Sequence, residues 1–315
     1  MIQLVKRHLW AAVVLSLLVL GAFWGAHIYL WSDPAQLHWS DYVVPPVCVM
    51  GVGLILAYLT ERYTLLLERS YWVLVCYVTL VCSFPNTFEK SSAFPAAVLS
   101  ALSLPTLLYS ASDPATRKGP FLVSFFITCA WLLYFPSGYL LIPLIISLMR
   151  LAKASLKDIA AFMGGIVSPL MLTGFYKWLR GEDLRAYALM RWEQLLDCTP
   201  AFQLNQGNLT QTLLVCVLGG VLVIALLTRL LSKESTTLVL ARFYEMLFLM
   251  MVCSVAVMGC YSDYSHSFLP ILCIPMALLT TSFFSQTKGI MSKLILALLF
   301  GALMLNFVNS RLQLI

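Results

Sequence analysis

Apolar residues fill most of the chain in long runs, and short polar stretches separate these runs. Eleven runs can be distinguished, covering residues 9–30, 43–60, 71–84, 93–110, 120–135, 138–150, 159–177, 211–231, 241–260, 267–286 and 291–309. A helix needs about 20 apolar residues to cross a membrane, and the runs at 71–84, 120–135 and 138–150 are shorter. The pattern predicts an all-α, polytopic transmembrane helical bundle of about 11 spans.

The composition supports a membrane protein. Of the 315 residues, 61% are hydrophobic and only 11% are charged, and the mean hydropathy is +0.88. A soluble domain carries about 25% charged residues, so this chain is too poor in charge for a soluble enzyme or a disordered protein. The net charge of +6 lies in short basic clusters between the apolar runs and forms no patch, which excludes nucleic acid as the expected partner.

The basic clusters also predict the orientation, because positive loops stay on the cytoplasmic side. With an N-in, C-out topology, fourteen of the 20 Lys and Arg residues fall in cytoplasmic loops. The remaining ones are Lys90, Lys177, Arg180, Arg185, Arg191 and Arg311.

The chain predicts a single integral membrane domain over residues 1–315, in which residues 178–210 form the longest outer loop. The first run, Leu9 to Leu30, is too long for the apolar core of a signal peptide and predicts a retained span. Pro136-Ser137-Gly138 joins two short runs and predicts a tight helical hairpin, since Pro and Gly break helices. The nine cysteines form no Cys-x-x-Cys pair, so neither a metal site nor a disulfide framework is predicted, and no cofactor is indicated.

An amphipathic helix is predicted near residues 178–197 on the outer face, because Leu184, Ala188, Trp192 and Leu195 recur on one side. Such a helix lies in the membrane interface and serves as a strut between two spans. The alternative is a lid over an outward cavity that binds a phosphate through guanidinium groups. The candidate substrate-binding arginines are Arg180, Arg185 and Arg191.

Two outer loops carry candidate acid–base groups. Asp33 and Asp41 in the first loop are candidate general bases or metal ligands, but they also suit a turn and a helix cap. Asp263 and His266 near the end of the chain form a second cluster, which would either join the first in one polar substrate site or simply cap a helix. Within the apolar runs, Glu245 is the one carboxylate, and Arg242 three residues earlier predicts a local ion pair.

One stretch resembles a known family. It contains Arg117-Lys118-Gly119, then Leu133-Tyr134-Phe135-Pro136-Ser137, Lys157-Asp158, and Gly164-Gly165-Ile166-Val167-Ser168-Pro169, and Ser265-His266-Ser267-Phe268-Leu269-Pro270 follows near the end. With these motifs the chain resembles a family of uncharacterised polytopic inner-membrane proteins of Bacteroidota. The resemblance implies a bacterial inner (cytoplasmic) membrane location.

The Pro-bearing helix pair and the short basic inner loops also resemble the GT-C glycosyltransferases, which use polyprenyl-phosphate sugars. That resemblance implies a catalytic acid in the first outer loop, at Asp33 or Asp41. The first loop is shorter than GT-C loops generally are, and no large outer C-terminal domain follows.

Three functions remain open. The first is an envelope glycosyltransferase that takes a polyprenyl-phosphate-linked donor at the outer face. The second is a non-catalytic membrane subunit or scaffold of an envelope or secretion complex, with protein partners and membrane lipids around it. The third is a transporter or lipid flippase, which the scarcity of ionisable groups within the runs disfavours.

Overall fold

The computed structural model describes residues 8–31, 39–63, 71–84, 91–112, 118–151, 155–196, 238–260 and 267–286, with most of 216–226 and 298–306. The α-helices are α1 (Leu9–Trp31), α2 (Trp39–Arg62), α3 (Trp72–Cys82), α4 (Ala93–Ser112), α5 (Lys118–Leu133), α6 (Leu141–Leu151), α7 (Leu156–Leu179), α8 (Leu184–Leu196), α9 (Leu238–Cys260) and α10 (Leu269–Gln286). A 3-10 helix, Phe135–Leu140, joins α5 to α6. Residues 219–224 and 301–306 are helical as well.

The predicted all-α class is confirmed, since the described residues contain helices and turns but no strand. Each of the eleven apolar runs overlaps helical residues. In the part of the chain that the structure describes, five helices, α1, α2, α4, α7 and α9, are long and apolar enough to cross a membrane. The prediction of eleven spans is therefore not supported. Apolar content cannot separate a span from a short helix that is buried by its neighbours, and α3 and α10 are helices of that second kind.

Helices α3 and α10 form the centre of the bundle. Every residue of α3 is buried, and α3 packs against α1, α2 and α10. Residues 267–285, which include nearly all of α10, are buried as well. The Tyr77 hydroxyl on α3 donates a hydrogen bond to the Pro270 carbonyl at the start of α10, at 3.1 Å. Surrounding helices thus cover this pair on all sides, which explains why both are apolar although they are short.

Large apolar side chains are exposed on the outer surface of the bundle. On α1, Leu18 is 65% exposed, and on α7, Met171 is 70% exposed. A water-soluble fold buries such side chains. Only Phe162, Gly165 and Pro169 of α7 are buried, and these residues form the stripe that faces α5. This distribution fits an integral membrane protein, whose apolar surface faces lipid.

Buried polar side chains in the bundle are hydroxyls, apart from Asn306. Most of them return a hydrogen bond to their own helix. Thr79 donates to the Val75 carbonyl at 2.7 Å, and Thr281 donates to the Ala277 carbonyl at 2.6 Å. In a medium without water a polar group needs such an internal partner. The hydroxyls bonded in this way are satisfied locally and do not by themselves indicate a polar passage. Among the described residues, the buried hydroxyls of Ser16, Ser254 and Thr280 have no hydrogen-bond partner.

Small residues let α4, α5 and α7 pack closely in a row, with α5 in the middle. A Cβ atom at Gly165 of α7 would collide with the Ser124 hydroxyl and the Phe121 carbonyl of α5. Ser124 uses this close approach to donate a hydrogen bond to the Phe162 carbonyl at 2.7 Å. Close packing through small residues and hydroxyl bonds is typical of membrane helices.

Candidate functional site

Residues 132–140, which comprise the last two residues of α5 and the connection to α6, are called the tip here, and they fold through short-range contacts. Pro136 stands in the first turn of the 3-10 helix, where its missing N–H costs nothing. The Ser137 hydroxyl donates to the Tyr134 carbonyl at 2.8 Å. Gly138 lies against the Trp131 indole, and a Cβ atom there would stand 2.7 Å from the ring. The Pro-Ser-Gly sequence therefore breaks the helix where a bend was predicted.

Three further helices contact the tip. The Tyr134 hydroxyl and the Ser267 hydroxyl share a hydrogen bond of 2.8 Å, and the Tyr134 ring stacks with Phe268 at 6.2 Å between centroids. The Cys253 thiol of α9 donates to the Tyr139 carbonyl at 3.4 Å. The third helix is α8, whose Arg191 side chain contacts the tip. The tip is thus a junction of α5, α6, α8, α9 and the start of α10.

Arg191 anchors α8 to this junction. Its Nη2 donates to the Leu132 carbonyl at 3.2 Å, and its Nε donates to the Tyr187 hydroxyl, also at 3.2 Å. The guanidinium carbon lies 5.9 Å from the centre of the Phe135 ring, within the range of a cation–π contact. Arg191 is therefore half-buried and already engaged on three sides.

The other two candidate arginines have separate surroundings. Arg180 lies over the Tyr176 ring at 4.5 Å, at the end of its own helix α7. Arg185 is exposed, and its backbone N–H donates to Asp183 Oδ1 at 2.8 Å, which caps the start of α8. The described contacts do not bring Arg180 and Arg185 onto the tip beside Arg191. A phosphate-binding role for the three arginines stays a prediction.

The predicted amphipathic helix near 178–197 is present as α8, but it begins at Leu184. Residues up to Leu179 continue α7, and Gly181 makes the turn with a φ of 73°. Such a left-handed conformation favours glycine. Lys177 and Glu182 form an ion pair across this turn, and the Lys177 ammonium lies 4.4 Å from the centre of the Tyr187 ring. These contacts hold α8 against the end of α7.

Of the four candidate acid–base residues in the outer loops, the structure describes only the backbone of Asp41. Asp33, Asp263 and His266 lie outside the described residues. The backbone of Asp41 belongs to the first turn of α2. Next to it, the Tyr42 carbonyl accepts a hydrogen bond from the Trp24 indole at 3.2 Å, which ties the end of α1 to the start of α2.

A second polar cluster lies at the end of α6 that is remote from the tip. Glu245 of α9 pairs with Arg150 of α6 at 3.2 Å. The predicted local pair between Glu245 and Arg242 is therefore wrong. Arg242 instead reaches across to the Arg150 carbonyl in the last turn of α6 and satisfies an acceptor that the helix end leaves open.

This second cluster surrounds an open pocket of about 390 Å³, lined by Met149, Arg150, Arg242 and Glu245. Sequence spacing did not point to it, because Arg150 and Glu245 are 95 residues apart and meet only when α6 packs on α9. Among the described residues, no three His, Cys, Asp or Glu side chains are grouped so that they could bind a metal.

Comparison with protein families, with curated proteins and with solved structures found no match.

Proposed function

We propose that the protein is a non-catalytic membrane subunit that assembles with another membrane protein in an envelope or secretion complex. The observation that carries this proposal is the position of α7. This helix of 24 residues is long enough to span a membrane, yet it packs mainly along one stripe against α5. Within the described part of the chain, α7 otherwise touches only α8 to any extent, and the rest of its surface is exposed or half-buried.

The open surface of α7 has a pattern suited to such a partner. Ala160, Gly164 and Ser168 recur at every fourth residue beside the stripe that faces α5. Small residues at this spacing let two membrane helices approach closely. Ala160 is exposed and Ser168 is half-buried, whereas Gly164 borders α5, because a Cβ atom there would lie 3.8 Å from the Phe121 ring. The proposed partner is therefore a transmembrane helix that packs on this row of small residues.

The contacts of α8 support a structural role as well. Arg191 binds the tip, Arg180 lies on Tyr176, and Lys177 pairs with Glu182. Cationic side chains used in this way hold an interfacial helix in place. We therefore interpret α8 as a strut that fixes the end of α7.

A matched pair of substitutions tests the proposal. Ala160→Leu enlarges a residue in the open row of α7, and Ala22→Leu enlarges an exposed residue on α1. After mild-detergent extraction from native membranes, the α7 variant should lose a protein that co-purifies stoichiometrically with the wild type. The α1 variant should retain it. If both variants behave alike, or if the wild type is a solitary monomer, the proposal fails.

The topology belongs to the same proposal. We place the protein in a bacterial inner membrane with the N-terminus in the cytoplasm, the C-terminus outside and about 11 membrane-embedded helical segments. The basis is the excess of Lys and Arg in the proposed cytoplasmic loops. In this orientation the tip and α8 lie at the outer face, and the pocket beside Glu245 lies at the cytoplasmic face.

One observation favours a second candidate, a GT-C-like envelope glycosyltransferase. Ser267 directly follows His266 in the chain and hydrogen-bonds Tyr134 at the tip, where Arg191 also binds. Ser267, the neighbour of one candidate residue in the sequence, therefore lies at the same junction as the candidate Arg191. In this alternative Asp33 or Asp41 would be the base, and the donor would be a polyprenyl-phosphate-linked sugar.

The second candidate makes its own testable claim. Alanine at both Asp33 and Asp41 should abolish sugar transfer from a polyprenyl-phosphate donor while leaving the amount of folded protein unchanged. A subunit without catalytic function should instead keep its partner in this double variant. The second candidate therefore requires a sugar-transfer activity in the wild type that the double variant loses, and the first requires a partner that the double variant keeps.

A further inference from the structure

The pocket between α6 and α9 carries an excess of positive charge. Arg150 and Arg242 contribute two guanidinium groups, and Glu245 contributes one carboxylate. A guanidinium group has five N–H donors. Nη1 of Arg150 donates a hydrogen bond to Glu245, and Nη1 of Arg242 donates one to the Arg150 carbonyl. Both side chains therefore retain donors for an anion, and the pocket has a net charge of about +1 at neutral pH.

The surfaces next to the pocket are apolar and open. On α6, Ile142 is 55% and Met149 is 56% exposed, seven residues apart on one face. On α9, Val252 follows Glu245 by seven residues, and both Val252 and Val255 are exposed. Residues seven apart lie on the same side of a helix. An apolar stripe thus runs along each helix away from the charged pocket.

We infer that this pocket binds the phosphate of an anionic phospholipid, whose acyl chains lie along the two apolar stripes. Guanidinium groups bind phosphate through paired, charge-assisted hydrogen bonds. Basic pockets between membrane helices on the cytoplasmic side are suited to lipid headgroups. The site uses neither α7 nor the tip, so it does not depend on the proposed partner, but its cytoplasmic position rests on the proposed topology.

The charges predict opposite effects for two substitutions. Arg242→Gln removes one positive charge and should weaken binding of phosphatidylglycerol about fivefold. Glu245→Gln removes the competing carboxylate and should strengthen the same binding. A variant that is merely damaged would not bind the lipid more tightly, so the second substitution separates charge from folding. Arg62→Gln, at the exposed end of α2, is the matched control and should leave binding unchanged.

The experiment titrates the full-length protein in detergent with phosphatidylglycerol, phosphatidylcholine or inorganic phosphate, and counts bound molecules by native mass spectrometry. Phosphatidylglycerol should bind the wild type more tightly than phosphatidylcholine, and inorganic phosphate should compete only weakly. Equal binding of phosphatidylglycerol to the wild type, Arg242→Gln and Glu245→Gln would overturn the proposal. Tight binding of inorganic phosphate with no preference for phosphatidylglycerol would also overturn it, because the ligand would then be a soluble anion.

Discussion

At the scale of single residues, the close contact between α5 and α7 depends on Gly165, which has no side chain. Gly165 brings α7 against the backbone of α5, and the Ser124 hydroxyl bonds the Phe162 carbonyl across the contact. Gly174 lies further along the same helix, and a Cβ atom there would meet nothing within 4 Å. Two glycines of one helix therefore have different roles, which the sequence alone does not show.

This difference can be measured by replacing each glycine with alanine. Gly165→Ala should lower the free energy of unfolding by about 1–3 kcal/mol, because the methyl group forces α5 and α7 apart. Gly174→Ala should raise it by about 0.5–1 kcal/mol, since alanine is the better helix former. Denaturant unfolding in detergent compares the two variants. Equal stability of both would contradict the close contact.

At the scale of elements, α8 depends on a few polar anchors. It packs only lightly against α7, and Arg191 donates a hydrogen bond that joins α8 to the tip. Local amphipathic periodicity was sufficient to predict this helix. The anchor was not predictable in the same way, since Arg191 and Leu132 are 59 residues apart. Contacts of that range arise from the packing of the whole bundle.

Loss of the anchor should loosen α8. Arg191→Ala removes the bond to the Leu132 carbonyl and the contacts with the rings of Phe135 and Tyr187. Amide hydrogen exchange over residues 184–196 should then be at least several-fold faster.

The exposed Arg185 provides the control, and Arg185→Ala should leave exchange over the same residues near the wild-type rate. Unchanged exchange in Arg191→Ala would show that other contacts hold α8.

At the scale of the whole molecule, the apolar pattern predicted an all-helical chain because a membrane protein must satisfy its backbone within helices. It also predicted about 11 spans, whereas five of the described helices are long and apolar enough to cross a membrane. Residues 72–82 of α3 are apolar because neighbouring helices bury them. A membrane span is apolar because lipid surrounds it, so the two kinds of helix have the same sequence pattern. The partner of Glu245 was missed for a related reason. Its pairing with Arg150 depends on the packing of α6 against α9. The prediction considered only residues three or four apart on one helix, and Arg242 is at that spacing.

The candidate site was predictable only in its local parts. Pro136-Ser137-Gly138 predicted the bend, and the structure has a 3-10 helix there. The hydrogen bond between Tyr134 and Ser267 joins segments 133 residues apart and could not be read from either segment. Whether Asp33 and Asp41 share a site with Asp263 and His266 stays a prediction.

The central claim is that α7 presents its open face to another membrane protein, and the mass of the extracted particle tests it most directly. The protein would be extracted from native membranes in mild detergent and weighed by native mass spectrometry. The account predicts the 35.2 kDa chain together with a second protein in a fixed ratio, and only the 35.2 kDa chain after Ala160→Leu. A single, monodisperse chain of 35.2 kDa from the wild type would contradict the account.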